Sequence, residues 1–278
     1  MDCWSVIPIG PKGYEFGFNV LSSDSKNGPP DALIPLIGGK QNHSRVDTTS
    51  PIFSPAVATW YGDPNGAGSD GGACGYRLDV EKPPFSAMIS AGNANLFKSG
   101  MGCGSCYQVK CTQNPACSGK PVTVTITDEC NCDSGNVHFD LSGKAFGALA
   151  KPGQAETLRA AGTFPVHYRR VACNYPGTAL AFEVDSGSNP YYFACVAKYV
   201  KGDGELTSVE LQTANWKEEE WRPMQHSWGA TWKIDLASGA KAPFSIRLVT
   251  RLSKKVIVAK DVIPAHWLPG KSYKSLLN

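Results

Sequence analysis

The sequence has no long apolar run, no block of like charge and few helix-period patterns. None of its 278 residues lies in an apolar stretch that approaches the roughly 18 residues of a membrane-spanning helix. Lys and Arg number 27 against 24 Asp and Glu, a net charge of +3, and no five-residue basic block occurs, which argues against nucleic acid as a partner. Glycine (29) and proline (20) are plentiful. The composition therefore favours a mainly β chain of two ordinary domains.

A dinucleotide fingerprint is spelled at residues 66–71, G-A-G-S-D-G, but its usual surroundings are missing. A strand-like run precedes it at residues 57–61, yet Pro83-Pro84 leaves no room for a useful helix. No Asp or Glu occurs between Glu81 and Asp128, so no acid is placed to hold a ribose hydroxyl. The glycines therefore do not indicate a nucleotide, and no other cofactor is predicted.

Eight of the ten cysteines fall within one hundred residues, from Cys74 to Cys173. Seven lie between Cys74 and Cys132, and Cys173 follows. The run Cys103-x2-Cys106-x4-Cys111-x5-Cys117 could be read as a metal site, but its spacings do not repeat as in zinc sites. It also reverses the order of plant ferredoxins. We therefore expect disulfides, an oxidising compartment and no metal.

The first 50 residues lack the charged and apolar regions of a signal peptide. They do contain a glycosylation sequon at Asn42, which fits secretion. We expect residues 1–52 to be either a disordered segment or a wrongly assigned gene start. Cys3 has no assigned partner.

Strand signals recur from residue 53 onward. In residues 121–127, Val122, Val124 and Ile126 alternate with threonines, a half-buried strand. One helix is predicted to begin near Asp140 or Ser142. After the joint at residues 174–177, short strands separated by tight turns indicate a small β-sandwich, with a hairpin predicted at residues 202–204.

Two carboxylates stand out as candidate functional groups. Asp128 directly follows a predicted strand, and Asp140 lies twelve residues later, beside His138. Glycoside hydrolysis uses such a pair, one as acid and one as base. The alternative is that Asp140 caps the helix and Asp128 occupies a turn. His138 is expected to order the loop by hydrogen bonding, and it is also a candidate substrate-binding residue because it is the histidine next to the carboxylates.

Tryptophans are a second candidate feature, because an aromatic face can stack on a sugar ring. Most tryptophans of a β-sandwich are core residues. Gly229 is predicted to mark a bulge that exposes Trp228 and buries Trp232.

Several motifs together resemble the beta-expansins, plant cell-wall loosening proteins that include grass-pollen group-1 allergens. These motifs are TWYG at 59–62, GGACG at 71–75, GCGSCY at 102–107, TITD at 125–128, HFDLSG at 138–143, GSNP at 187–190, SWGA at 227–230 and DVIP at 261–264. The resemblance covers about residues 54–273, in order and through both domains.

The resemblance implies a six-stranded double-psi β-barrel at residues 53–177 and an immunoglobulin-like carbohydrate-binding sandwich at residues 190–273. It implies the disulfides Cys74–Cys103, Cys106–Cys173 and Cys111–Cys117. The implied groove residues are Thr59, Trp60, Tyr61, Asp70, Asp128 and Asp140, with Tyr192, Ser227 and Trp228 extending the path and Asn189, Arg170 and Lys233 beside it.

Three positions depart from the family pattern. The loop at Ser69-Asp70 is shorter than usual, which puts the equivalence of Asp70 in doubt. Cys130-Asn-Cys132 replaces a longer segment, and a bridge across one residue would be strained, so both cysteines have no assigned state. Cys195 is expected to lie in a strand as a small apolar residue.

The related endoglucanases place a base Asp directly after an early Tyr-Trp pair, but here Gly62 follows Tyr61 and Asp63 comes one residue later. The resemblance implies a secreted, extracellular protein that loosens contacts between cellulose and glucuronoarabinoxylan without acting as an enzyme, and the displaced Asp63 agrees with this expectation. We also expect a monomer. The alternatives are an endoglucanase or transglycosylase with Asp128 as acid and Asp140 or Asp63 as base, and a lectin-like protein.

Overall fold

A computed structural model describes residues 51–68, 71–132, 135–215, 217 and 220–275. Within that part of the chain, none of the helices is long and apolar enough to span a membrane. The predicted positions Cys3, Asn42 and Asp70 lie outside the described residues. The barrel and the sandwich described below belong to one compact unit.

The first domain is a closed six-stranded barrel with strands in the order β1-β5-β2-β4-β3-β6. Its strands are β1 (Ser54–Tyr61), β2 (Ile89–Gly92), β3 (Cys106–Lys110), β4 (Val122–Glu129), β5 (His138–Ser142) and β6 (Phe164–Val171). Its helices are a 3-10 helix (Arg77–Glu81), α1 (Ala94–Phe97), α2 (Gly143–Ala148) and α3 (Ala155–Ala160). The glycine-rich segment after β1 leads to turns and then to the 3-10 helix, so no α-helix opens on it.

Strand β4 shows how the sequence pattern builds the barrel wall. Val124 and Ile126 enter the barrel core, as the alternation predicts. Thr125 and Thr127, expected on an open face, are also buried. The loop at residues 72–75 covers this face, and Cys74 N donates to Thr127 O (3.2 Å).

Helix α2 begins where the sequence predicts, and of the two candidate N-cap residues it is Ser142 that caps it. The Ser142 hydroxyl accepts from Ala145 N (3.1 Å), while Ala145, Phe146 and Leu149 are fully buried. Asp140 lies inside β5 instead of capping the helix. Its carboxylate is therefore available to a different surface.

The second domain is a sandwich of two antiparallel sheets, so the predicted mainly β barrel-and-sandwich fold is confirmed. Its strands are β7 (Ala181–Val184), β8 (Tyr192–Lys198), β9 (Leu206–Thr213), β10 (Arg222–Pro223), β11 (Gln225–Trp228), β12 (Thr231–Asp235), β13 (Phe244–Thr250), β14 (Val256–Ile263) and β15 (Ser272–Lys274). The sheets run β10-β9-β13-β14 and β11-β12-β8-β7-β15. The predicted hairpin at residues 202–204 is wrong, because β8 and β9 belong to different sheets and the turn carries the chain across.

Four disulfides lie within the described residues. Cys74–Cys103, Cys106–Cys173 and Cys111–Cys117 are the three bonds that the resemblance implies. Cys130 and Cys132, left without an assigned state, are bonded to each other across one residue. Cys195 is a buried free thiol in β8, packed in the sandwich core as expected.

Candidate polysaccharide-binding groove

Four neighbouring barrel strands bring Thr59, Asp140 and Asp128 into one row. Thr59 of β1 lies opposite Asp140 of β5, and Ala91 of β2 lies opposite both Asp140 and Asp128. Directly opposed residues project from the same side of a sheet, and two strand spacings put the Cα atoms of the two carboxylates roughly 10 Å apart. We call Thr59, Asp140 and Asp128 the carboxylate row.

A hydrogen-bonded relay orders the Asp140 end of the row. The Thr59 hydroxyl donates to Asp140 Oδ1 (2.6 Å) and lies 2.9 Å from His138 Nε2. Because a hydroxyl carries one proton, which goes to Asp140, His138 Nε2 is the donor to Thr59. His138 is buried and orients Thr59 through this hydrogen bond. Its expected contact with substrate stays a prediction.

Burial raises the pKa of the Asp140 carboxyl, and the nearby Asp128 raises it further. The Thr59 hydrogen bond and the charge of His138 oppose this increase without cancelling it. Folding therefore favours the protonated form of Asp140.

Asp140→Asn tests this charge penalty through stability. A carboxyl whose pKa is raised by folding destabilises the folded state increasingly as the pH rises above the unfolded pKa, and the full penalty is present above the folded pKa. The asparagine keeps an oxygen that can accept from Thr59, so the variant should melt a few degrees above the parent at about pH 7. The advantage should shrink as the pH falls through the folded pKa of Asp140. Melting temperatures of both proteins across pH measure it, and an advantage that is constant with pH would contradict the assignment.

The Asp128 carboxylate is held by backbone donors. Its Oδ1 accepts from Ala73 N (2.6 Å) and from Glu129 N (2.8 Å). The side chain is half-buried at the end of β4. The glycine-rich loop therefore holds Asp128 at one end of the carboxylate row. This role accounts for the glycines, which in the sequence alone resemble a dinucleotide-binding motif.

Tyr61 extends the same face of β1. Burial raises the pKa of its phenol, and the negative charges of Asp128 and Asp140 raise it further. Its hydroxyl is buried and makes no hydrogen bond within the described residues. The phenol is therefore neutral and retains a proton that it can donate to a bound group.

Trp60 alternates to the other side of β1. Its indole N–H donates to Arg159 O (3.3 Å), and its ring packs 6.2 Å from Phe146. Trp60 is half-buried against the barrel core. The side chain of Trp60 therefore lies on the opposite side of β1 from those of Thr59 and Tyr61, with which it was expected to line the groove.

The barrel loop that holds Asp128 also contacts the sandwich. Ala230 N donates to Cys74 O (3.1 Å). Gly75 has φ +82°, and a Cβ there would lie 3.0 Å from the Trp228 ring. A Cβ on Gly229 would overlap the backbone of Ala73 and Cys74. The two glycines therefore allow the Trp228 hairpin to dock beside the carboxylate row.

Trp228 and Trp232 have the predicted exposures, 48% and 6%. The predicted cause is wrong, because Gly229 lies in the turn between β11 and β12. The strand irregularity occurs earlier, between His226 and Trp228.

The expected extension residues share the outer face of the five-stranded sheet. Lys233 lies opposite Ala194 of β8 and faces away from Trp232, which enters the core. Tyr192 lies on β8, and Asn189 is bridged to it. Ser227 and Asn189 are exposed. This face begins at Trp228 and continues away from the barrel.

Arg170 does not join this path. It pairs with Glu205 Oε1 (2.8 Å) and donates to Asp203 O (2.7 Å), between the barrel and the sandwich. The Arg170 guanidinium therefore joins parts of the protein to each other, whereas the resemblance implies a position beside the groove. The sequence reasoning missed Glu205, because an acid beside a glycine-rich turn is usually solvated.

Comparisons with known proteins give matches in both domains. A family model described as the Expansin C-terminal domain matches residues 180–264, and one described as Lytic transglycolase matches residues 89–168. Expansin-B4 of Arabidopsis thaliana is 55% identical over 226 residues, covering 80% of this chain and 86% of its own length. Expansin-B11 of Oryza sativa subsp. japonica is 51% identical over 251 residues, covering 88% and 85%.

Among solved structures, the apo expansin of Clavibacter michiganensis is similar with a TM-score of 0.61 at 21% identity. The alignment covers 81% of this chain and 96% of that one. A mutant of the same bacterial protein, solved in complex with cellohexaose, matches equally well. At this identity the likeness establishes the fold alone.

Proposed function

The chain belongs to the expansin-B family, and we propose that it binds plant cell-wall polysaccharide and loosens the wall without hydrolysis. The observation that carries this proposal is the continuity of the candidate site. Asp128 is held by Ala73, and the same loop docks against the hairpin that presents Trp228. A single extended chain can therefore contact both domains.

In this proposal the barrel binds sugar hydroxyls and the sandwich binds sugar faces. Asp128 and Asp140 accept hydrogen bonds, and the neutral Tyr61 phenol donates one. Trp228 stacks on a ring, while Tyr192, Ser227, Lys233 and Asn189 contact the chain further along. The cellohexaose complex of the Clavibacter expansin supports an extended glucan as the kind of ligand.

The proposed loosening is a competition for hydrogen bonds. Polysaccharides in the wall adhere through many weak contacts, and a protein that binds one chain along its length replaces some of them. No covalent bond is broken. Asp128 would bind and distort the chain at the point where it leaves its neighbour.

The position of Asp63 favours a non-hydrolytic protein. Asp63 is exposed in a turn closed by Gly66 N to Asp63 O (2.9 Å). It follows Gly62, whose φ of +74° redirects the chain. A carboxylate in that turn is a poor candidate for a base that must approach the bound chain at a fixed distance.

One observation supports the alternative of a glycoside hydrolase. The roughly 10 Å between the Asp128 and Asp140 Cα atoms is compatible with the ~6.5–9.5 Å between carboxyl groups of inverting enzymes. Asp128 would then be the acid and Asp140 the base. The raised pKa of Asp140 fits either assignment, because general bases are also tuned upward toward the working pH.

The remaining parts of the proposal concern setting and partners. The protein would be secreted to the extracellular plant cell wall, where its disulfides are stable. Its partners would be cellulose and glucuronoarabinoxylan, and it would act as a monomer without a cofactor.

Two assays on the full chain test the proposed function. One measures the extension of clamped, heat-killed plant walls, and the other measures reducing ends released from cellulose or xylan. We expect extension without reducing ends. Reducing ends that disappear in Asp128→Asn would support the hydrolase instead, and binding without either effect would support a lectin-like protein.

Trp228→Ala tests the proposed path through the sandwich. Loss of the exposed ring should weaken wall binding by about tenfold, or about 1.4 kcal/mol, with little change in thermal stability. Trp221→Ala is the matched control, because Trp221 is half-buried beside Arg247 in the other sheet. Equal binding by the Trp228 variant and the parent in a pull-down with isolated walls would remove Trp228 from the site.

A further inference from the structure

Positive charge is concentrated near the end of the chain. Between Arg251 and Ser275 there are six Lys and Arg residues against one Asp, a net charge of +5. The whole chain carries +3, so all other residues together carry −2. The six are Arg251, Lys254, Lys255, Lys260, Lys271 and Lys274. Arg251 pairs with Glu205, and Lys271 and Lys274 lie at β15 in the other sheet. Lys254, Lys255 and Lys260 remain on or beside β14 as a local positive surface.

Part of this segment borders a groove on the side of the sandwich. The groove lies between the loop after β8 and the edge strand β14, and it encloses about 280 Å³. Lys201 and Lys255 flank it, and the exposed Val256 and Val258 supply apolar surface. We call it the basic groove.

The lysines around the basic groove are not neutralised. Among the described residues, no carboxylate oxygen lies within ion-pair distance of Lys201, Lys254, Lys255 or Lys260. Asp79 accepts from the hydroxyl of Tyr199, which lines the groove (3.3 Å). Asp79 is itself paired with Lys198 (2.6 Å). The field at the groove is therefore positive.

The spacing of the cations fits an extended anion better than a small one. Lys260 projects from the same face of β14 as Val256 and Val258, roughly 13 Å beyond Val256, whereas Lys201 and Lys255 lie at the other end of the groove. A small anion would reach one or two of these charges. A polymer with repeated carboxylates would reach all of them, and its sugar C–H faces would cover Val256 and Val258.

We propose that the basic groove is a second polysaccharide site, which binds a uronic-acid-bearing chain. It involves β14 of the four-stranded sheet, whereas Trp228 and Lys233 belong to the five-stranded sheet. The two surfaces are therefore separate, and the protein can hold an acidic matrix chain while the carboxylate row holds a neutral one. The simultaneous binding of two chains rests on the proposed function. The binding of an anionic chain at the basic groove does not.

The test compares two charge-reversal variants of the full chain. Lys201→Glu with Lys255→Glu changes the basic groove. Lys82→Glu with Lys120→Glu changes the net charge equally at exposed barrel positions. Affinity for polygalacturonate is measured at low ionic strength, with microcrystalline cellulose as the neutral probe. We expect at least a tenfold loss for the groove variant, less than a twofold loss for the control, and cellulose binding at the parent level for both.

Two results would overturn the proposal. An equal loss in both variants would mean that net charge alone attracts the polymer, and no loss in the groove variant would mean that the polymer binds elsewhere. Melting temperatures check the fold, and Lys201→Gln with Lys255→Gln provides a milder change with an expected intermediate loss. If the parent protein does not extend walls but the variants lose affinity for polygalacturonate as expected, the proposed function is wrong and the proposal for the basic groove is still supported.

Discussion

Asp128→Asn should lower the rate of wall extension at least tenfold. Asparagine keeps the size of the side chain and an oxygen that can accept from Ala73 N and Glu129 N. It replaces the second carboxylate oxygen with an N–H donor, so a sugar hydroxyl that donates to Asp128 loses its acceptor. Hydrogen bonds to charged groups contribute about 1.5–3 kcal/mol, which corresponds to about 10- to 150-fold. The extension rate of clamped, heat-killed walls is the measurement.

Asp63→Asn is the matched control for that experiment. It also removes one carboxylate near the glycine-rich loop, but Asp63 is exposed in a turn. Its extension rate should stay within about twofold of the parent, since exposed charges contribute little. Full activity of Asp128→Asn, or equal losses in both variants, would contradict the role of the carboxylate row.

Glu205→Ala should destabilise the protein more than any other single change considered above. The Glu205 side chain is fully buried, and Lys98 and Arg170 both pair with its Oε1. Arg251 lies 3.7 Å from Oε2. Removing one partner of a buried ion pair costs about 3–5 kcal/mol, because it leaves a buried charge without compensation. For a protein of this size the melting temperature should fall by about 10 °C.

Glu156→Ala is the control for Glu205→Ala, because it removes an ion pair that is exposed to solvent. Glu156 pairs with Arg159 at 2.5 Å, but its side chain is 80% exposed. Its removal should cost less than about 1 kcal/mol. Melting curves of the two variants at one pH compare them directly. A fall of the same size in both would show that Glu205 does not join the domains as described.

The arrangement of strands explains which parts of the site could be predicted. Local patterns identified β4, α2 and the exposure of Trp228, since alternation and capping depend on neighbouring residues. The closeness of Asp128 and Asp140 depends on β2, which lies between their strands although it precedes both in the chain. The number of residues between Asp128 and Asp140 does not show which strand lies between them in the barrel.

Two errors have the same physical origin. The turn at residues 202–204 has the glycines of a hairpin, but turn chemistry does not specify which sheet receives the next strand. Arg170 and Glu205 both resemble solvated charges in the sequence, yet they are buried against each other where the domains meet. Burial of a charge depends on its partner, which only the folded chain provides.

The free thiol of Cys195 has a consequence for the durability of the disulfides. Burial raises its pKa to about 12, so the folded protein presents almost no thiolate there at neutral pH. Thiolate is the species that attacks disulfides. The folded core thus isolates Cys195 from the four bridges of the described residues, and this thiol does not attack them for as long as the sandwich remains closed. Unfolding would release the thiol and allow scrambling, so heat damage to this protein would become permanent faster in alkaline than in acidic solution.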